Sequence, residues 1–234
     1  MKRIGIMAIA LCFGLPQLRA QELSGSDLLD KSIAYHDPNN QWSTFAGELK
    51  LLFTGPAMAD RESKITIDLP NQFFNVSTTQ DGQTSFRQID GQACRFTSEE
   101  GSVIATTIDD EACERTVMYR DYYTYLYGLP MKLKDPGTLV DPKVQKVTFK
   151  GKQYLKLKVT YKQDVGADIW YFYFNPENYA MEVYQFYKPD DPKSGEYIML
   201  TGEAVVNGIK MPKDRSWYYN KDDGFLGTDI LLNK

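Results

Sequence analysis

The sequence predicts a mainly β protein with few helices, built on a curved antiparallel sheet, and three observations predict it. Apolar and polar residues alternate with period two in one segment after another, turn signals join those segments in chain order, and a helical period is confined to two stretches. The composition agrees: 42% hydrophobic and 13% aromatic residues with 17 Gly and 11 Pro exclude a disordered or collagen-like chain.

The first twenty residues read as a secretory signal. Met1-Lys2-Arg3 is a charged start, Ile4 to Leu15 a short apolar run, and Leu18-Arg19-Ala20 ends on a small residue suited to cleavage. The run is shorter than the ~20 residues that span a bilayer. Cys12 lies inside it, but Leu11 puts a bulky side chain where a lipid-attachment site requires a small one. The expected organisation is a signal at 1–20 and a single domain at 21–234. Residues 1–20 hold three basic and no acidic side chains, leaving 24 basic against 31 acidic and a charge of −7. That balance argues against nucleic acid and against an anionic membrane surface.

From Ser24 to His36 the pattern is helical. Ser24 or Ser26 caps it, Asp27 complements the dipole, Leu28, Leu29, Ile33 and Ala34 form the stripe, and Asp37-Pro38 stops it. Strands follow at Phe45–Phe53, Ile65–Leu69, Gln72–Thr79 and Thr84–Ile89, with Asp90-Gly91 predicted as a two-residue type I′ turn into Ala93–Phe96. Glu114 to Leu129 breaks the pattern. Met118, Tyr122 and Tyr125 form a helical stripe with Tyr119, Tyr123 and Leu126 beside it, ended by Gly128-Leu129-Pro130, so a helix is expected across one face of the sheet. Met131 to Pro142 reads as a loop or a second short helix. Leu155 to Tyr161 alternates cleanly, Asn175 to Asn178 reverses the chain between Ile169–Phe174 and Tyr179–Tyr184, and Asn207-Gly208 does so before Ile209–Tyr219. With Phe225–Leu232 the strands number roughly ten or eleven, long for an open sheet unless it curls.

The chemical inventory constrains enzymes first. There is one histidine, His36, and its position at a helix C-terminus reads as a cation favoured by the dipole rather than as a catalytic base. No zinc or calcium spacing and no phosphate-binding Gly-rich loop occurs, so neither metal nor cofactor is expected. With Cys12 removed, Cys94 and Cys113 are left as an even pair in an exported chain, read as a structural disulfide; no CxxC points to redox chemistry.

The 31 aromatics, 16 of them Tyr, are more informative. In Ile169–Phe174 both alternation phases are apolar, as in a strand covered on both faces. Two readings stand: a thick, solid core, or a concave face left partly unfilled as an aromatic cavity under the tyrosine-rich helix. Tyr hydroxyls on that helix must reach water or a partner, which fits the edge of a lid.

The order of elements, a leader, a helix, a long meander, an inserted helix and more meander, resembles the LolA/LolB-like half-barrel of periplasmic lipoprotein carriers. Tyr125-Leu126-Tyr127-Gly128-Leu129-Pro130, Leu139-Val140-Asp141-Pro142, Gly151–Tyr161, Gly166-Ala167-Asp168-Ile169-Trp170 and Val206-Asn207-Gly208-Ile209 are similar to a secreted family common in Bacteroidetes. The resemblance implies a periplasmic or secreted location, acyl chains held on a concave aromatic face, and a closing lid helix. It brings no catalytic residue. The resulting expectation is a non-enzymatic binding protein, most simply a monomer, for a lipid, a lipoprotein acyl chain or another apolar ligand. Its expected wall and lid residues are Phe45, Leu49, Leu51, Tyr122, Tyr125, Tyr171, Tyr173 and Met181. A protein- or glycan-docking domain with a solid core and a carboxylate hydrolase are the alternatives.

Overall fold

The computed structural model describes residues 22–163 and 165–233, so the predicted signal segment lies outside the described residues. Helix α1 (Gly25–His36) opens the fold, followed by six strands: β1 (Ala46–Gly55), β2 (Met58–Asp68), β3 (Phe73–Gln80), β4 (Gln83–Asp90), β5 (Ala93–Thr97) and β6 (Val103–Thr107). Helix α2 (Glu114–Gly128) intervenes. Seven strands complete the chain: β7 (Thr138–Phe149), β8 (Lys152–Tyr161), β9 (Ile169–Phe174), β10 (Met181–Tyr187), β11 (Glu196–Val206), β12 (Ile209–Tyr219) and β13 (Phe225–Leu231).

All thirteen form one antiparallel sheet in the spatial order β6-β5-β4-β3-β2-β1-β13-β12-β11-β10-β9-β8-β7. The sheet is curved and does not close into a barrel. The order places α2. It follows one edge strand, β6, and precedes the other, β7, so the connecting segment must cross from edge to edge, and α2 does so over the concave face.

Local chemistry sets the boundaries. Ser24 Oγ accepts from the Asp27 N–H at 3.1 Å while the Asp27 carboxylate accepts from the Ser24 N–H at 3.4 Å, a reciprocal cap on α1. After α1, the Asp37 carboxylate accepts from the N–H groups of Gln41 (2.7 Å) and Trp42 (2.8 Å) and turns the chain into β1. Asn207 and Gly208 both have positive φ, 49° and 79°, so the chain reversal predicted there is a type I′ hairpin. At the β4–β5 hairpin Asp90 instead pairs with Ala93, and the loop is Gly91-Gln92 with only Gly91 at positive φ (55°), the mark of a type II′ turn.

Other expectations are corrected. Thirteen strands replace ten or eleven. Met131–Lys134 is a 3-10 turn, but Thr138–Phe149 is a strand rather than loop or helix, paired to β8 with an irregularity between Val140 and Val144 that absorbs Asp141-Pro142. In α2 the buried stripe is Thr116, Tyr123, Leu126 and Tyr127, offset from the predicted one, and Met118 faces outward.

The main core lies between the concave face and the two helices. Leu49 and Leu51 of β1, Ile65 and Ile67 of β2, Phe172 and Phe174 of β9 and Leu28 of α1 are almost completely buried in it. Full burial of such side chains contributes about 1.5–3 kcal/mol each. Cys94 of β5 and Cys113, just ahead of α2, are joined as a disulfide that ties the helix entry to its sheet edge.

Candidate functional site

The concave face beneath α2 divides into an aromatic side and a polar side. On the aromatic side, Trp170 and Phe172 of β9, Tyr184 and Phe186 of β10 and Trp217 of β12 share the inward phase. Their rings are in contact: Trp170 to Phe186 is 4.8 Å between centroids, Trp170 to Tyr184 6.3 Å and Tyr184 to Trp217 6.2 Å. Tyr125 of α2 meets Trp170 edge-on at 5.9 Å, and its hydroxyl is hydrogen-bonded to that of Tyr161 on β8 at 2.5 Å. Desolvation raises the Tyr125 pKa well above its ordinary value and pushes Tyr161 up to about 12, so both stay neutral donors at any physiological pH.

A groove of ≈ 510 Å³ runs between this flank of α2 and the segment after β8. Tyr125, Tyr161, Trp170 and Val165 give it apolar walls, while Asp121, Lys132, Asp135 and Asp168 rim it. Trp170 and Phe186 are only half-buried although they sit at the edge of the core.

The polar side follows one row of sheet register. Arg61 of β2 pairs with Phe53 of β1, Phe53 with Asp229 of β13, and Asp229 with Arg215 of β12, so all four project from the same face. Arg61 lies over the Phe53 ring at 5.1 Å and reaches Asp229 at 4.0 Å. Gly227 makes room for this, since a Cβ there would stand 2.3 Å from Phe53 Cζ. Arg215, 2% exposed, lies over the Tyr127 ring at 4.0 Å and donates to the Leu126 carbonyl of α2 at 3.2 Å. Burial raises the Asp229 pKa, and the charges of Arg215 and Arg61 oppose that shift.

Tyr122 closes the polar side from above. It keeps 42% of its surface exposed, yet desolvation raises its pKa well above 10, with the Asp229 charge next in effect.

Family membership follows from the sequence as a whole. Residues 4–234 match a family of unknown function, DUF6503. The chain belongs to that family. Among solved structures, DUF6503 here is similar to a LolA superfamily protein from Nitrosomonas europaea, with a TM-score of 0.55 and 10% identity over 90% of this chain and 92% of that one. It is also similar to an outer membrane lipoprotein-sorting protein domain from Vibrio parahaemolyticus (TM-score 0.51, 8% identity, 88% and 89% covered). A DUF1329 family protein from Desulfovibrio piger is a third (TM-score 0.50, 9% identity, 89% and 91% covered). No curated protein matches the chain. At these identities the likeness establishes a LolA-like fold for this DUF6503 chain.

The structure scatters the residues picked from sequence. Tyr125 lines the groove and Tyr122 stands over the polar row. Leu49 and Leu51 are concave but fully packed, Phe45 lies against Trp42 ahead of β1, and Met181 lies at the foot of the core beside His36. Tyr171 and Tyr173 are corrected: they belong to a separate cluster with Tyr154 and Val183 on the convex face. With period two, placing Phe172 and Phe174 in the core sends their neighbours to the other side. His36 is corrected as well. Its Nδ1 lies 2.8 Å from the Lys210 carbonyl and its Nε2 accepts the Met181 N–H at 2.9 Å, so the ring is neutral and burial lowers its pKa.

Trp170, Phe186, Trp217, Arg61, Arg215 and Asp229 were missed. Alternation could have found the charged three. Arg61 leads the phase Ser63, Ile65, Ile67; Asp229 precedes Leu231; Arg215 precedes Trp217. A charge at an inward-phase position is the signal. Among the described residues no cluster of three or more metal-ligating side chains occurs, and no helix is long and apolar enough to cross a membrane.

Proposed function

We infer that this protein is a non-enzymatic carrier-like binding protein of the periplasm or cell exterior that holds an apolar chain, from a lipid or a lipoprotein, along the groove beside α2. The observation that carries this reading is the groove beside α2 walled by Tyr125, Tyr161 and the half-buried Trp170. Its ≈ 510 Å³ falls within the roughly 300–1,000 Å³ typical of small-molecule sites. Large aromatics left partly uncovered on a concave face gain the burial they lack when an apolar ligand covers them. The disulfide supports export, since such bonds persist in oxidising compartments.

The test is native mass spectrometry of protein purified without detergent, with displacement of a fluorescent fatty acid. A co-purifying lipid or saturable binding is expected, and Trp170→Ala should weaken it roughly tenfold while leaving the far-ultraviolet circular dichroism unchanged. Protein that is empty and ignores the probe overturns the reading.

One observation favours a docking domain as the second reading. The convex face carries a shallow groove of ≈ 360 Å³ with Tyr171, Tyr173 and Tyr187 beside Lys156 and Lys188. If lipids do not bind, that surface is the one to probe with glycans.

A further inference from the structure

The groove beside α2 has apolar walls and an unevenly charged rim. Its lining supplies three carboxylates, Asp121, Asp135 and Asp168, against one ammonium, Lys132. Two of the three are already matched: Arg120 Nε donates to Asp121 at 2.8 Å, and Lys132 is ion-paired with Asp135. Asp168 has no ion-pair partner among the described residues, so the rim keeps one negative charge in excess. That carboxylate is half-buried and stands two residues before Trp170.

A lone solvated aspartate is ordinary, but this one borders an aromatic cavity. Tyr125, Tyr161 and Trp170 line the groove, and the rings of Tyr125 and Trp170 stand at 62° to one another. An aromatic face carries partial negative charge, so it attracts a cation within about 6 Å and offers an anion nothing. The two phenols lie in the same field. Burial comes first in raising the pKa of both, and the negative charge of Asp135 adds to it even though Lys132 is paired with that carboxylate. Walls and rim therefore agree in sign. A fatty-acid carboxylate entering here would stand among carboxylates and ring faces, whereas an ammonium would be attracted by both.

We propose that the groove takes an amphiphile with a cationic ammonium head, the head at the Asp168 rim and the tail along Tyr125, Tyr161, Trp170 and Val165. This rests on the apolar-ligand reading and specifies the ligand class. At ≈ 510 Å³ the groove has room for a single chain with a small head. Asp121 lies one helical turn before Tyr125, and Asp168 two residues before Trp170, so helix and sheet each set a carboxylate beside a ring. Arg120 and Lys132 remain with their own carboxylates, and the incoming ammonium neutralises the one left over. Partly desolvated against the walls, it gains more from ring and carboxylate than it would in open water.

Titration of delipidated protein with decyltrimethylammonium, 1-decanol and decanoate, each below its aggregation concentration and read by tryptophan fluorescence and calorimetry, tests this. The three share one tail and differ in head charge. Decyltrimethylammonium is expected to bind about tenfold more tightly than decanol, and decanoate more weakly than decanol. Asp168→Asn should cut the ammonium preference by at least about threefold, and Asp168→Lys should bring decanoate ahead of the ammonium. Asp60→Asn removes the same charge from an exposed position outside the groove and should leave the preference unchanged, which separates a seat from the general pull of a negatively charged chain. An ammonium that binds no better than decanol, or a preference that Asp60→Asn reduces as much as Asp168→Asn does, overturns the ammonium seat and leaves the apolar-ligand reading standing. If none of the three binds, both fall.

Discussion

The imidazole of His36 is held between a carbonyl and an N–H from strands far apart in sequence, and that pairing fixes its protonation. Protonation would place a second N–H against the Met181 amide, so the folded protein resists it and the pKa falls below 6.5. The unfolded chain has no such resistance. Stability from this residue is therefore fully present above about pH 6.5 and is lost as the pH falls below it, because the unfolded state then binds the extra proton. Denaturation midpoints between pH 7.5 and 5 should decline, and His36→Leu should remove that part of the slope. The same variant should cost roughly 2–3 kcal/mol at neutral pH, since it strands a buried N–H and a carbonyl. At Gly128 the limit is space. A Cβ there would stand 2.3 Å from the Trp42 ring, so Gly128→Ala should destabilise by about 1–3 kcal/mol in urea titration, with a change in tryptophan emission.

Among the elements, α2 is stabilised mainly by what it covers. Its first turn has no side-chain cap of its own; Asp110 instead caps the 3-10 turn ahead of it, accepting from the Ala112 N–H at 2.8 Å. The Cys94–Cys113 bond then anchors that entry, with a sequence separation of 19. Cys94→Ala with Cys113→Ala should lower stability by about 3 kcal/mol through loop entropy. Hydrogen exchange should rise first in residues 111–118, where the anchor is lost. At α1 the reciprocal cap predicts a smaller effect: Ser24→Ala should cost about 1 kcal/mol, measurable in the same titrations. Both helices were readable as helices from sequence, because helical spacing and stop signals are local. The face of α2 was not, since tyrosine fits core, rim and solvent alike, and only contact with Phe74 and Leu126's neighbours on the sheet selects among them.

On the scale of the whole molecule, the meander was legible because alternation and tight turns act within a few residues. Asn207-Gly208 and the pattern from Leu155 to Tyr161 are examples. The pairing of β1 with β13 was not legible: it joins residues such as Leu51 and Leu231 that no local rule connects. That pairing sets Arg61 and Phe53 in one row with Asp229 and Arg215, which the β12–β13 hairpin already brings together. The same ambiguity governs the aromatic hexapeptide Ile169–Phe174. Both of its phases are apolar, so period two gives two faces without saying which is concave. By itself, then, the sequence determined a β-rich chain with two helices and one pair of cysteines suited to a disulfide, each from composition or short-range spacing. Tertiary structure alone decided which tyrosines face the groove, that the lone histidine is neutral, and that two arginines share one aspartate. Those facts depend on long-range register and burial, which act between residues that only the folded sheet brings together.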